Sequence, residues 1–391
     1  MTEQKSFDPE TDYRSLKTSE PSLPSNWYFD PDVYKNEMSR IFGREWLYVC
    51  HTSALPKPMS YRTMQIGDQP IFVVRDSDGQ LKAFHNTCRH RGSILLQEES
   101  GQLTSKAIVC PYHQWSYHSA DGRLVKTSSF SDPVNFEKSD YGLYPVAVRE
   151  WRGCIMVNLD PDAKWDIEDI FFRTSGEIVN FPLETMVIGH VWRKVMGCNW
   201  KSFWENFNEC LHCPNVHPEL VDLVPLYGRR IVDRRDTPGW RDHEGDNDPK
   251  YRGGLREGAD TWSMNGSAQG HILGTLSEDD KARGQTYTVS LPSMFIAAYA
   301  DHIRIVRLMP VGPEETELVS EWLFTPETLA SDDYDTANVI EFAKLVMTQD
   351  LEACELNQRG MHAAPFKQGV LMPEEYYLKE FQDWVRQTME A

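Results

Sequence analysis

Two cysteines and two histidines in the first third of the chain carry the strongest chemical signal. They fall in two short motifs, C-R-H-R-G-S at 88–93 and C-P-Y-H-Q-W at 110–115. The skeleton is Cys88-x-His90, nineteen intervening residues, then Cys110-x-x-His113. Each motif pairs a thiolate with an imidazole. Such a set can hold a structural zinc ion, tetrahedral between two sulfurs and two nitrogens. It can also hold a [2Fe–2S] cluster with two cysteines on one iron and two histidines on the other, where imidazole raises the reduction potential. The alternating order Cys, His, Cys, His favours the cluster, because zinc fingers present two cysteines and then two histidines. Gly92 and Pro111 suit tight loops around a cluster. Arg89 and Arg91 place positive charge beside a centre that gains an electron.

A second constellation follows in N-E-C-L-H-C-P-N-V-H-P-E, residues 208–219. Glu205, Glu209 and His212 are spaced four and three apart, so on a helix they share one face. Pro214 ends such a helix and frees His217 to turn back. Two imidazoles suit ferrous iron, but a facial triad also needs a carboxylate. In the C-terminal region Ala343, Val346, Met347, Leu351 and Cys354 form an apolar stripe, and Asp350 falls inside it. A carboxylate buried there wants a cation or a metal. On spacing alone, an aspartate at the stripe's border, paired with an arginine, fits equally well. Cys210 and Cys213 would need two further ligands to clip a zinc ion, and they are read as small packing residues.

These residues need scaffolds. The motifs of 88–113 sit at turns between β-like runs: YRTMQIG, PIFVVRD, LKAFHNT, AIVCPYH, WSYHS and RLVKTS. Residues 46–160 therefore read as a small all-β domain. Residues 1–45 read as an N-terminal extension, irregular over 1–26, then an amphipathic helix from the cap Asp30 with Val33, Met38, Ile41 and Phe42 on its apolar side. Residues 161–391 read as a second domain mixing helix and strand. Its stretch 227–285 is rich in charge and glycine and is expected to form exposed excursions or a lid. Strands resume at TYTVSLPSMFIAAYA, HIRIVRLMPV and TELVSEWLF, and a long helix over 333–361 ends the chain. The expected class is α+β.

Composition bounds the rest. With 391 residues and a formal net charge of −19, the chain repels nucleic-acid phosphates. No apolar run reaches membrane-span length, and the polar N-terminus is no signal peptide. Eight cysteines are too few for a disulfide scaffold, so a reducing cytoplasm is expected. No G-x-G-x-x-G is present, so electrons for redox chemistry would come from a separate reductase.

C-R-H-R-G with C-P-Y-H-x-W resembles the Rieske domain of the Rieske non-haem iron oxygenases, and the downstream motifs match in the same order over most of the chain. The resemblance implies a Rieske [2Fe–2S] cluster on Cys88, His90, Cys110 and His113. It implies mononuclear Fe(II) on His212, His217 and Asp350, because the family places its third ligand in a matching C-terminal helix. It also implies O₂ as oxidant, NAD(P)H electrons through a flavin/iron–sulfur reductase, and a helix-covered antiparallel catalytic sheet. A homotrimer is expected, in which one subunit's cluster serves its neighbour's iron. Most ring-hydroxylating members carry aspartate at the position of Glu209. Glutamate there, within E-N-F-N-E-C-x-H-C-P-x-V-H-P-E-L, resembles the members that oxidise quaternary ammonium compounds, of the glycine betaine, stachydrine and carnitine type. By that resemblance Glu209 is an electron-relay bridge to His113 of the partner subunit; a surface glutamate paired with a basic side chain is the plainer alternative. Glu205 is a second catalytic candidate.

The expected activity is hydroxylation of an N-methyl group with release of formaldehyde. A ring-hydroxylating dioxygenase α subunit is one alternative. A non-enzymatic Rieske electron carrier is another, at odds with the long C-terminal region. A methylated ammonium carries charge but no N–H, so aromatic faces hold it best. Phe203, Trp204, Phe207, Trp262, Phe295 and Tyr299 are candidates, with ordinary core packing the alternative for each. A carboxylate tail would want His302, Arg304 or Arg307.

Overall fold

Seven antiparallel strands gather the first part of the chain, in the order 47–51, 154–158, 145–151, 81–85, 69–75, 60–66 and 100–102. The computed structural model describes residues 13–166, 170–171, 173–174 and 176–390. The strand Gln69–Arg75 shows how the sheet serves the site. Its period of two sends Ile71 and Val73 into the main core and Phe72 and Val74 into a smaller one. That smaller core contains Cys88, Cys110, Trp115 and Tyr117. A three-stranded sheet, Ala107–Val109, Ser116–His118 and Leu124–Lys126, completes it.

The second sheet has six antiparallel strands, ordered 173–174, 286–290, 294–298, 303–312, 315–324 and 187–196. Its central strand, Ile303–Gly312, is buried over its first eight residues because both faces are covered. Ile303 and Ile305 face a core that includes Trp46 and Tyr48. Val306 and Leu308 face the opposite way, toward a core shared with Trp200, Phe203 and Val346. The helices Trp200–Phe207 and Thr336–Met361 lie on this second side, tied where the Cys354 thiol meets the Ser202 carbonyl at 3.5 Å. The stripe Ala343, Val346, Met347, Leu351 and Cys354 is buried as its spacing predicts. Each of the larger aliphatic side chains in it contributes about 1.5–3 kcal/mol. The architecture is α+β.

Several expectations change. The helix of 30–46 is α-helical only over Pro31–Glu37, with Asp30 accepting from the Asp32 amide as its cap, and widens into a π turn at Met38–Phe42. Residues 20–24 are not irregular: they form a strand paired with Gln368–Leu371, so the two ends of the chain meet. The helix Thr336–Met361 does not end the chain, which continues into the amphipathic helix Tyr376–Glu390. The stretch 227–285 is a series of short turns anchored inward by buried Leu255, Trp262 and Leu273. Thr261 Oγ1 donates to buried Asp301 at 2.6 Å. Residues 1–12 and parts of 166–181 fall outside the described residues. Among those described, no helix is long and apolar enough to cross a membrane.

Candidate metal centres and active site

The two cysteine–histidine motifs fold into matching loops. The Cys88 amide donates to the Ser93 carbonyl, and the Gly92 amide returns to the Cys88 carbonyl, each at 2.9 Å. Likewise the Cys110 amide donates to Trp115 at 2.8 Å, and the Gln114 amide returns to Cys110 at 3.0 Å. The fifth residue of each loop takes a left-handed backbone, Gly92 at φ +76° and Gln114 at φ +59°. The result sorts the donors by depth. Cys88 and Cys110 are buried, whereas His90 is exposed and His113 half-buried, their ring centroids 4.8 Å apart. His90 stacks on Trp115 at 4.7 Å. The Tyr117 hydroxyl lies 3.2 Å from the Cys88 sulfur. Two inward thiolates and two outward imidazoles fit a cluster with sulfur ligands on its inner iron and nitrogen ligands on its outer one. Arg89 does not reach over this site; it donates to the Gly142 carbonyl at 2.6 Å and covers the Tyr144 ring.

The second centre is built differently from the helical face expected. The helix Trp200–Phe207, capped by Asn199, stops before Glu209. Glu209 and His212 therefore lie in the following turn, off the helix that carries Glu205. Pro214 begins a short helical turn, Cys213–Val216, rather than ending a long one. That turn brings His217 back beside His212, with the His217 amide donating to the Cys213 carbonyl at 2.9 Å. Across from them, the long helix supplies Asp350. Ligand atoms of His212, His217 and Asp350 all lie within 4.8 Å of one another. Asp350 Oδ1 is 2.7 Å from His217 Nε2 and 3.3 Å from His212 Nε2.

Both imidazoles are oriented through Nδ1. His212 Nδ1 meets Glu209 Oε1 at 2.5 Å, and the other Glu209 oxygen accepts the Leu211 amide. His217 Nδ1 meets Gln349 Oε1 at 2.8 Å, and Gln349 in turn donates to Glu219 at 3.1 Å. With Nδ1 engaged in this way, each Nε2 is turned toward Asp350, the arrangement that metal-ligating histidines use. Burial pulls the His212 imidazole down, but bonds to Asp350 and Glu209 outweigh it and push its pKa up to about 9. Burial would likewise raise Asp350, yet the two imidazoles hold its carboxyl below the usual range. A carboxylate that draws a proton onto the facing imidazole fits a site for a divalent cation. Two nitrogens and one oxygen match the facial set of non-haem ferrous iron.

Glu205 stands apart from this triad. It is half-buried, accepting from the Tyr28 hydroxyl at 2.5 Å and from Gln382 at 2.8 Å. Cys210 and Cys213 are buried but are more than packing residues, since they are joined as a disulfide across a 5.0 Å Cα–Cα separation. The tight turn between Glu209 and Pro214 brings them together, a pairing that composition alone did not predict.

Aromatic rings fill the interior between the helix Trp200–Phe207 and the catalytic sheet. Phe207 packs on Phe295 at 4.4 Å and on Tyr287 at 5.7 Å. Phe203 and Trp204 continue this wall. Trp262 meets Tyr299 at 5.3 Å and Phe342, on the Asp350 helix, at 6.1 Å. Gln349 and Tyr287 are not expected from sequence; only the adjacency of Gln349 to Asp350 marks either of them. Among the candidates for an anion, His302 is already paired with Asp301 at 2.7 Å. Arg307 is paired with Glu317 at 3.0 Å and donates to the Val49 carbonyl. Arg304 has no ion-pair partner among the described residues. A cleft of about 350 Å³, lined by Pro218, Glu219, Asp222, Arg256 and Phe342, adjoins the turn that follows His217.

Two cysteine–histidine loops in one domain and a two-histidine, one-carboxylate set in the next define a two-centre iron oxygenase. The chain matches the Rieske [2Fe–2S] domain over residues 45–137 and the ring-hydroxylating α subunit (catalytic domain) over residues 161–391. It belongs to the ring-hydroxylating α-subunit family and is a Rieske oxygenase. The glycine betaine monooxygenase oxygenase subunit of Chromohalobacter salexigens is 32% identical over 98% of this chain and 89% of that protein. The chloroplastic choline monooxygenase of Spinacia oleracea is 27% identical over 98% of this chain and 81% of its own length. A solved quaternary ammonium Rieske monooxygenase shares the fold, with a TM-score of 0.73 at 22% identity over 95% of this chain and 96% of that one.

Proposed function

We propose that the chain hydroxylates an N-methyl group of a quaternary ammonium or methylated amine. The observation that carries this reading is the aromatic wall of Phe207, Phe295, Tyr287, Tyr299 and Trp262, between the helix that precedes His212 and the helix of Asp350. Such a wall holds a cation that offers no hydrogen-bond donor. Relatives named for glycine betaine and choline support the same substrate class. The balance is one N–CH₃, one O₂, two electrons and two protons, giving N–CH₂OH and water. The N–CH₂OH group then releases formaldehyde and the demethylated amine.

Cys88, Cys110, His90 and His113 would hold the [2Fe–2S] cluster, and His212, His217 and Asp350 the ferrous iron. Bound there, these groups supply single-electron transfer and O₂ activation. The chain's own residues prepare that chemistry. Glu209 and Gln349 fix both imidazoles with Nε2 inward. Glu209 also serves as the relay, bridging His212 to His113 of the partner subunit in a homotrimer. Within one chain the half-buried His113 ring meets the rings of His90 and Tyr112. In the adjoining cleft Asp222 is paired with Arg256 at 3.3 Å, which leaves Glu219 as the group that attracts a cation. Electrons come from NAD(P)H through a separate flavin/iron–sulfur reductase.

The test is formaldehyde release from iron-reconstituted protein with a generic reductase and NADH. Glycine betaine, stachydrine, carnitine and choline would be screened beside aromatic acids. Formaldehyde from a quaternary amine is the expected result. O₂ uptake on an aromatic acid, with silence on every amine, would establish the ring-hydroxylating alternative instead.

A further inference from the structure

Arg304 lies on the central strand of the catalytic sheet, facing the same way as Val306 and Leu308, into the core that holds Phe203, Phe295 and Tyr299. Only 5% of it is exposed. Its guanidinium covers the Phe295 ring at 5.6 Å, and that ring is the one Phe207 packs against. Its Nε and Nη1 are buried with no hydrogen-bond partner. The Tyr299 hydroxyl beside it is also buried and makes no well-aligned hydrogen bond, although Arg304 and Tyr287 both lie close enough to act on it. Burial raises Tyr299, and the charge of Arg304 pulls it part of the way back, so the two side chains share one environment. The neighbouring strand arginine offers a contrast: Arg307, on the opposite face, is satisfied by Glu317 and a backbone carbonyl.

A buried cation with two unanswered donors is costly. It persists where something supplied from outside completes it. Each unanswered guanidinium nitrogen can donate a charge-assisted N–H···O bond to a carboxylate, and a tyrosine hydroxyl beside it adds a further donor. We infer that Arg304, with Tyr299, binds the carboxylate of a zwitterionic substrate whose methylated ammonium rests on the aromatic wall. The inference rests on the N-methyl reading above and narrows it. The preferred substrate is an N-methylated amino acid of the betaine type, and the carboxylate-free alcohol choline is disfavoured. One ring, Phe295, carries both halves of the recognition: Arg304 on its face and Phe207 beside it. The short spacing between ammonium and carboxylate in a betaine suits that proximity.

The test is anaerobic calorimetric titration of the iron-loaded protein with glycine betaine and with choline, beside ligand-free melting. Wild type should prefer glycine betaine. In Arg304→Met that preference should fall by at least about 30-fold, the loss of charge-assisted hydrogen bonds. The ligand-free melting temperature should not drop, because an unpaired buried charge has been removed. Arg304→Lys should retain part of the preference, and serves as the test if the methionine variant fails to fold. An unaltered betaine preference in both variants overturns the assignment. So does a lower melting temperature with equal loss of both ligands, which would make Arg304 structural. A wild-type protein that acts on choline and ignores glycine betaine leaves the N-methyl reading standing and removes the role of Arg304. Wild type that binds neither compound removes both.

Discussion

Glu209 Oε1 and His212 Nδ1 face each other at 2.5 Å across a single turn, while the second oxygen of Glu209 is held by the Leu211 amide. The carboxylate is thus fixed by its own turn. Glu209→Ala should keep both metal centres, visible as an unchanged Rieske absorption and unchanged iron content. Turnover should fall by about 100-fold or more, at the upper end for residues behind a metal ligand. Full activity in that variant would refute the relay. Glu209→Gln, which keeps an acceptor for Nδ1–H, should lose less.

Asp350 is the oxygen donor on which both imidazoles converge. Asp350→Ala should take iron from about three atoms per chain to about two, leaving the cluster spectrum intact. Elemental analysis with visible spectroscopy decides this. Loss of both signals from a folded protein would show that the two sites are not independent.

His51 gives the protein a sensitivity to acid. Its ring is fully buried, with Nε2 3.1 Å from the Leu183 carbonyl and Nδ1 accepting from the Ser53 amide. Burial lowers its pKa from 6.5 to about 4. The folded value lies below the unfolded one, so the neutral ring's contribution is complete above pH 6.5 and is lost as pH falls through 4. That loss is about 3 kcal/mol at most. Urea midpoints between pH 7.5 and 4.5 should decline in wild type and decline less in His51→Gln. Parallel slopes would rule the ring out.

Lys201 and Glu37 form an ion pair that is wholly buried, and Trp200 Nε1 donates to the same carboxylate at 2.9 Å. Lys201→Met leaves Glu37 unanswered and should cost about 3–5 kcal/mol. Adding Glu37→Gln should restore most of it. A single variant as stable as wild type would mean that Glu37 simply takes up a proton.

The iron–sulfur motifs were legible because thiolate and imidazole at fixed local spacing already describe a loop. His212, His217 and Asp350 were legible for a related reason: a proline turn and an acid inside an apolar stripe are both local signals. What failed was register and termination. Nothing in W-K-S-F-W-E-N-F-N-E-C marks the helix stop at Phe207, so spacing alone sets Glu205 beside Glu209, although it bonds Tyr28 and Gln382 from distant parts of the chain. The strand Glu20–Pro24 exists only because Gln368–Leu371 lies opposite it, a pairing over some 350 positions that no local pattern encodes. Tyr287, Gln349 and the isolation of Arg304 are likewise products of packing.

The main core holds Leu47, Ile71 and Val157 from the cluster-bearing sheet together with Trp200, Phe295 and Leu351 from the iron-bearing half. Neither half owns a complete interior. Heating should therefore give one calorimetric transition, and the brown colour of the cluster should bleach at the same temperature at which the helices melt. The cofactor is a built-in indicator of the folding of the whole chain, including the residues farthest from it.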